Sequence, residues 1–188
     1  MITAKNRDAG ERLLSLTEPE GAAYTCHQYF LVESIRARFG KDNVGECFQA
    51  VYPRKTPSEA LLSQAGRVQI GRLDESYTDV VSRHYRLLHD RTYLQRRLAC
   101  GVMLGAFLDG ELAGFAGVHE EGGMGMLEVF EKFRGQGIGS ALEAALIGEE
   151  LERRHTPYCQ IFSDNEISLA LQKKLGLRIA DRKIYWIS

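Results

Sequence analysis

A glycine-rich loop between an apolar segment and an amphipathic stretch constrains the fold of this chain more than any other feature. The apolar segment ends at Val129 and Phe130, and Arg134 then precedes glycines at 135, 137 and 139. Apolar residues repeat at helical spacing after the loop, at Ile138, Ala141, Leu142, Ala145 and Leu146. The pattern predicts a strand, a loop and a helix in that order, with one face of the helix buried.

This loop has the properties of an anion-binding site. The first amide groups of a helix have no partner inside the helix, and here they lie in and just after the glycines. A glycine lets a ligand approach the backbone closely, and the N-terminus of a helix is its positive end. Arg134 adds a positive charge beside the loop, and residues 135–142 include no carboxylate. The sequence therefore predicts a phosphate site.

The loop does not fit the two common nucleotide motifs. The dinucleotide motif needs its third glycine one residue later, where Ser140 stands, and an acidic residue on a following strand. The nucleoside triphosphate loop needs a lysine after the glycines, which is missing. Two other interpretations stay open, a tightly packed turn and an unrelated nucleotide site.

The spacing resembles the coenzyme A pyrophosphate loop of the GNAT superfamily of acyl-CoA N-acyltransferases. The resemblance rests on Arg-Gly-x-Gly-Ile-Gly-Ser-Ala-Leu, which follows a strand ending in Leu-x-Val. A second segment, from Asn165 to Leu177, is similar to the family's Asn-x-x-Ser-x-x-Leu helix that ends in Lys-Leu-Gly. Within it, Leu-Gln-Lys-Lys-Leu-Gly-Leu, together with the later Trp186, favours the glycine-N-acyltransferase-like branch.

The resemblance implies transfer of an acyl group, most simply acetyl, from acyl-CoA to a primary amine by direct attack. The amine belongs to a small molecule, an amino acid or a protein, and acetyl-CoA or another acyl-CoA is the cosubstrate, with no metal required. Val129 lies where backbone N–H groups would polarise the thioester carbonyl. The implied coenzyme-binding residues are Leu127, Val129, Arg134, Gly135, Gln136, Gly137, Ile138, Gly139, Ser140, Asn165 and Ser168.

The chain departs from the family at both proton-transfer positions. Many members place a glutamate where Gly123 stands, and a tyrosine where Gln172 stands. The candidate bases are therefore Glu121 and Glu128, followed by His119 and Glu120, and a base acting through water also suffices. These departures keep an alternative open, a coenzyme A-binding sensor or partner-binding module with little catalysis.

Composition limits the classes of partner. A net charge of −1 gives no electrostatic surface for nucleic acid or an anionic membrane. Four irregularly spaced cysteines predict neither a disulfide framework nor a metal site, and favour a reduced, cytoplasmic protein. The sequence leaves the oligomeric state open, with a homodimer among the arrangements it allows.

The elements predict an α+β fold whose mixed, mostly antiparallel central sheet is flanked by helices. We expect an N-terminal extension over 1–66 and an acyltransferase domain over 67–188. Predicted helices cover 8–16, 24–39, 58–64, 75–88, 92–99, the stretch from the loop to about 154, and a last helix capped by Ser163 and ended by Gly176. Predicted strands cover 46–52, 68–72, 102–108, 111–119, 124–130, 157–162 and 177–187.

Overall fold

The computed structural model describes residues 1–17, 23–65, 68–85, 87 and 90–188. Within these residues the helices are α1 (Arg7–Ser15), α2 (Tyr29–Phe39), α3 (Glu59–Ala65), α4 (Thr78–His84), α5 (Arg91–Ala99), α6 (Ile138–Glu152) and α7 (Glu166–Lys174). The strands are β1 (Tyr24–Cys26), β2 (Val44–Val51), β3 (Gln69–Arg72), β4 (Met103–Leu108), β5 (Glu111–Val118), β6 (Met124–Val129), β7 (Tyr158–Phe162) and β8 (Arg178–Ile187). Two 3-10 helices cover Glu75–Tyr77 and Glu131–Phe133.

The chain forms two compact units, each built from separate segments of sequence. The first contains Met1–Gln49, Ile161–Ser168 and Ile179–Ser188. The second contains Ala50–Gln160 and Leu169–Arg178. The expected boundary between residues 66 and 67 stays a prediction.

In the first unit, three strands follow one another in the order β1, β8, β2. Tyr24 pairs with Ile187 and Cys26 with Tyr185 in antiparallel register. The prediction of one helix from Tyr24 to Phe39 is therefore wrong at its start, because residues 24–26 gain sheet hydrogen bonds and only 29–39 are helical. Gly40 ends this helix in the left-handed conformation, as predicted.

In the second unit, the strand order is β7, β6, β5, β4, β3. The pairs from β3 to β6 are antiparallel, whereas β6 and β7 pair in parallel at Met124 and Cys159. Helices α3 and α6 contact each other, and α4 contacts α5. The predicted α+β class with a mixed, mostly antiparallel arrangement of strands is confirmed.

Helix α6 is buried on more of its circumference than its apolar stripe predicts. Strands β4, β5 and β6 and helix α3 all contact it. Consequently Glu143 and Glu150 are buried together with the apolar face. No helix in the described ranges is both long and apolar enough to cross a membrane.

One further expectation is modified and another is confirmed. The predicted helix over 75–88 begins as a 3-10 helix and its α-helical part ends at His84, since Tyr85 has an extended backbone. The Asp109–Gly110 pair between two predicted strands predicts a two-residue hairpin turn, and the structure confirms it with φ of 50° and 80°. The sequence also predicts a break over 17–21 and a surface position for His89, and apart from Thr17 these positions lie outside the described residues.

Candidate active site

The glycine loop forms the expected set of free amide groups at the start of α6. Gly135 and Gly137 have φ of 77° and 82°, a conformation that side chains rarely adopt. Among the described residues, none accepts a hydrogen bond from the amides of 135–140, and the first recorded bond runs from the Ala141 amide to the Gly137 carbonyl oxygen at 3.0 Å. The loop therefore presents unpaired donors at the positive end of a fifteen-residue helix.

Arg134 does not project freely beside this loop. Its Nε donates to the carbonyl oxygen of Val129 at 3.1 Å, and its Nη2 lies 3.3 Å from Oε1 of Glu128. Glu128, one of the two first-ranked candidate bases, is therefore ion-paired. The ion pair occupies the Glu128 carboxylate, which makes it less available to an acceptor amine than a carboxylate without a partner.

A bulge interrupts the pairing of β6 with β5 before the loop. Phe115 pairs with Glu128 and Gly117 with Gly125, so two residues of β6 lie opposite one residue of β5. Met126, inside the bulge, has a φ of 50°, which is uncommon for a residue with a side chain. The bulge turns Leu127 and Val129 towards α6, where both lie within 4 Å of the side-chain position at Gly139.

The side-chain position at Gly123 is bordered by two neighbouring groups. A Cβ at Gly123 would lie 3.4 Å from the Tyr158 ring and 3.7 Å from Oε1 of Glu121. The Tyr158 hydroxyl donates to the Glu121 carbonyl oxygen at 2.7 Å, which fixes the turn. The exposed carboxylate of Glu121 thus lies next to Gly123, where the family resemblance implies a glutamate.

The imidazole of His119 occupies the corresponding space at Gly125, two residues further along β6. A Cβ at Gly125 would lie 2.7 Å from Nε2 of His119. Nδ1 of His119 lies 2.8 Å from the hydroxyl of Tyr93 on α5, which sequence reasoning did not single out. Burial lowers the pKa of His119, while the charge of Glu121 acts in the opposite direction and that of Arg97 lowers it further. His119 is therefore neutral near pH 7.

Tyr85 is a second residue that the sequence did not indicate. It is buried, and burial raises its pKa to about 12, with smaller contributions from Tyr93 and from the charges of Glu121 and Glu128. The effect shows that both carboxylates act on one buried phenol. The charge of Glu121 also acts on His119, whereas Glu120 pairs with Arg96 at 3.6 Å.

The second predicted motif is divided between the two units. Asn165 and Ser168 belong to the first unit, where Oδ1 of Asn165 accepts from the amide of Ser168 at 3.0 Å and caps α7. The predicted capping box at Ser163 and Glu166 is wrong, because the Ser163 amide donates to Glu46 and the Glu166 amide donates to Asp164. Gly176 ends α7 with a φ of 87°, as predicted. Gln172 is 1% exposed and therefore offers no accessible acid.

Other residues whose side chains have useful chemistry lie in environments that give them no role in catalysis. Phe115 lies in the core, and burial raises the pKa of the Cys159 thiol far above its usual range, so this cysteine is not an activated nucleophile. Cys100 is exposed, and all four cysteines are free.

No group of three or more metal-binding side chains occurs among the residues described. His84 stacks on Phe130 at 4.1 Å, beside an open pocket of about 650 Å³ whose rim carries Glu111 and Lys132.

Comparison with known proteins identifies the family of this arrangement. Residues 69–177, more than half of the chain, match the sequence model of the acetyltransferase (GNAT) family. A search of curated proteins gave no significant match.

Solved structures share the fold. A Drosophila protein is 24% identical with a TM-score of 0.67, and 83% of this chain aligns to 55% of it. A putative GNAT-family acetyltransferase from Novosphingobium aromaticivorans is 19% identical with a TM-score of 0.64, over 78% of this chain and 65% of that one. A GCN5-related N-acetyltransferase-like protein from Streptococcus suis is 19% identical with a TM-score of 0.61, over 94% of this chain and 75% of that one. The chain thus spans less than two thirds of the length of the first two.

Proposed function

Because this chain belongs to the acetyltransferase (GNAT) family, we propose that it is an N-acyltransferase that moves an acetyl or other acyl group from acyl-CoA to a primary amine. The observation that carries the proposal is the row of unpaired amides at 135–140 at the start of α6. These donors fit a pyrophosphate, which needs several hydrogen bonds and a positive potential. When bound, acyl-CoA supplies the activated thioester.

The chain's own residues give the cosubstrate a defined path. The loop amides would bind the pyrophosphate, and the edge of β6 from Leu127 to Val129 would hold the pantetheine arm through backbone groups. The bulge at Met126 interrupts the regular pairing of β6 with β5 next to Leu127, at the start of this edge. Asn165 and Ser168 remain part of the proposed coenzyme site on the strength of their motif.

Glu121 is the proposed general base. An amine with an ordinary pKa near about 10.4 is protonated at neutral pH and must lose a proton before it attacks. The Glu121 carboxylate is exposed, is free of recorded ion pairs among the described residues, and lies beside Gly123. One proton would pass from the ammonium group to Glu121, directly or through a water, and the neutral amine would attack the carbonyl carbon of the thioester. The carbon–sulfur bond would then break, and the leaving thiolate would take up the second proton that the amine nitrogen loses.

The negative charges near the site suit a positively charged acceptor. The charges of both Glu121 and Glu128 raise the pKa of the buried Tyr85, and the ion pair with Arg134 offsets only the charge of Glu128. A small molecule, an amino acid or a protein amino group would meet this requirement. The segment Leu171–Leu177 with Trp186 supports the glycine-N-acyltransferase-like branch, which makes glycine one acceptor to include in a screen.

A second candidate function is a coenzyme A-binding sensor with little turnover. Two observations favour it, the absence of a side chain at Gly123 and the burial of Gln172 where relatives carry a tyrosine. A thiol-release assay with acetyl-CoA and a panel of amines and amino acids, performed beside calorimetry with coenzyme A, separates the functions. Turnover of an amine supports the acyltransferase, binding without turnover supports the sensor, and stabilisation by ATP or NAD without coenzyme A binding would contradict both.

A further inference from the structure

Glu143 on α6 and Gln172 on α7 form a buried polar pair that the proposed reaction does not use. The two residues are 3% and 1% exposed. Gln172 lies close enough to Glu143 for a side-chain hydrogen bond from it to lower the pKa of the Glu143 carboxyl. Even so, Oε2 of Glu143 and Oε1 of Gln172 are buried without any partner among the described residues. Two unpaired acceptors in one buried pair are costly unless a proton lies between them.

An ionised Glu143 does not fit these surroundings. Lys174 of α7 contacts α6 but does not pair with Glu143. Its Nζ lies 3.2 Å from the Ser140 hydroxyl. Cys159 of β7 is close enough for the charge of Glu143 to raise its pKa, and it is a neutral thiol. A buried carboxylate with one amide donor and no cation is strongly disfavoured.

The other charged groups on the packed elements either have partners of their own or are exposed. On α6, Glu150 pairs with Arg153 at 3.0 Å and with His155 at 2.8 Å. On β5 and β6, Glu111 pairs with Lys132 and Glu128 with Arg134. Strand β4 carries no titratable residue, and Glu59 of α3 is exposed. None of these groups has a recorded interaction with Glu143 within the described residues.

We propose that Glu143 carries a proton in the folded protein and donates it to Oε1 of Gln172, while the Gln172 amide donates back to the carboxyl. An acid and an amide form such a closed pair with two parallel hydrogen bonds, which satisfies both orphaned oxygens. The pair fastens α7 to α6 without placing a charge inside the protein. Burial, opposed by the Gln172 hydrogen bond, raises the pKa of Glu143 from 4.5 to about 7.

The position of the pair gives it a role in coenzyme binding, which rests on the proposed function. Glu143 lies five residues after Ile138, which is about 7.5 Å along the axis of α6 from the free amides. A negative charge there would oppose the positive end of the helix. At an effective dielectric constant of about 20, a unit charge about 10 Å from another changes a binding constant by about tenfold. Glu143 is thus a positioning residue whose proton preserves the affinity of the loop.

Glu143→Gln is the matched test, because an amide pair with Gln172 keeps the shape and both hydrogen bonds without a titrating proton. Coenzyme A affinity is measured by calorimetry from pH 6 to pH 9 for the unaltered protein, this variant, and Glu152→Gln at an exposed position of the same helix. We expect affinity at pH 9 to be about tenfold higher in Glu143→Gln than in the unaltered protein, and equal at pH 6. Titration of the coenzyme itself cancels in the comparison.

A ligand-free measurement keeps this inference separate from the proposed function. Carbon-13 NMR of glutamate carboxyls in the unaltered protein should show one residue that titrates near neutral pH, and its signal should disappear in Glu143→Gln. If the carboxyl titrates while coenzyme A does not bind, the proton on Glu143 stands and the proposed function fails. If every glutamate has an ordinary pKa, or if Glu143→Gln and the unaltered protein show the same pH dependence of binding, the inference is wrong.

Discussion

The hydroxyl of Tyr93 lies 2.8 Å from Nδ1 of His119, and this contact determines which nitrogen of the imidazole carries the proton. The Tyr93 oxygen also accepts from the Glu120 amide at 3.4 Å, so its own proton is available for Nδ1. The neutral ring then carries its hydrogen on Nε2, above Gly125. In this state His119 is a donor that can orient the Glu121 carboxylate or a bound carbonyl, and is not itself the base.

Tyr93→Phe should raise the pKa of His119. The change removes the hydroxyl that donates to the neutral ring. The lost hydrogen bond stabilises the neutral ring by about 1 kcal/mol, which corresponds to a pKa rise of about 0.7 units. Imidazole NMR titration measures the shift directly. We expect kcat to fall several-fold with little change in the KM for acyl-CoA. Tyr77→Phe on the same unit is the control, and an unchanged pKa of His119 would show that Tyr93 does not donate.

Gly125→Ala should displace the same imidazole by a different route. The new methyl group would lie 2.7 Å from Nε2 and 2.9 Å from Cδ2 of His119, so the ring must rotate away from Tyr93. Because only the end of a side chain has to move, the fold should be kept. Gly148→Ala is a matched control, since its Cβ meets nothing within 4 Å and α6 should gain about 1 kcal/mol. Identical His119 spectra in Gly125→Ala and the unaltered protein would contradict the prediction.

Glu121→Gln should lower kcat by about a hundredfold or more at neutral pH, because a general base contributes that much to the rate. Coenzyme A affinity should stay the same, since the amides at 135–140 lie in the loop and at the start of α6. Glu120→Gln alters the neighbouring exposed carboxylate, which pairs with Arg96, and serves as the control. Equal losses in the two variants would show that Glu121 has no special role and would leave a water-mediated base.

Most secondary structure was predictable because its signals are local. The loop, α6 and the glycine that ends α7 follow from residues close together in sequence. The errors arise where distant pairing decides the outcome. Tyr24–Cys26 forms a strand because β8, some 160 residues later, offers it a partner. The Ser163–Glu166 capping box fails because the Ser163 amide is bonded to the carbonyl oxygen of Glu46 and the Glu166 amide to that of Asp164, and Asn165 caps the helix two residues later.

The coenzyme loop was predictable and the surroundings of the acceptor were not. A run of glycines before a helix specifies its own backbone. By contrast, Arg134 turns back onto Glu128 and Val129, and Tyr93 reaches His119 from another helix. No spacing in the sequence encodes these contacts. The glycine at 125 does carry a signal, since it lacks a side chain where the His119 imidazole needs the space.

Gln136→Glu should weaken coenzyme A binding through charge alone. Residue 136 is exposed and has no positive φ, so the substitution avoids the backbone strain expected for Gly137→Glu. A carboxylate beside the free amides would repel the pyrophosphate and cost about tenfold or more in Kd, with less effect at high salt. Gln136→Ala should bind almost as well as the unaltered protein. Calorimetry at two salt concentrations tests the pair, and equal affinities of both variants would place the anion elsewhere.

The buried proton on Glu143 should also make folding stability depend on pH. The folded pKa, about 7, exceeds the value of 4.5 for the free group, so the folded state holds the proton more tightly than the unfolded chain. This contribution to stability is complete below pH 4.5 and is lost as the pH rises through 7. The loss amounts to about 3 kcal/mol. Glu143→Gln removes this dependence, so its free energy of unfolding relative to the unaltered protein should increase from pH 5 to pH 8. Urea unfolding at several pH values measures the difference, and a constant difference would mean that Glu143 is ionised in the folded protein.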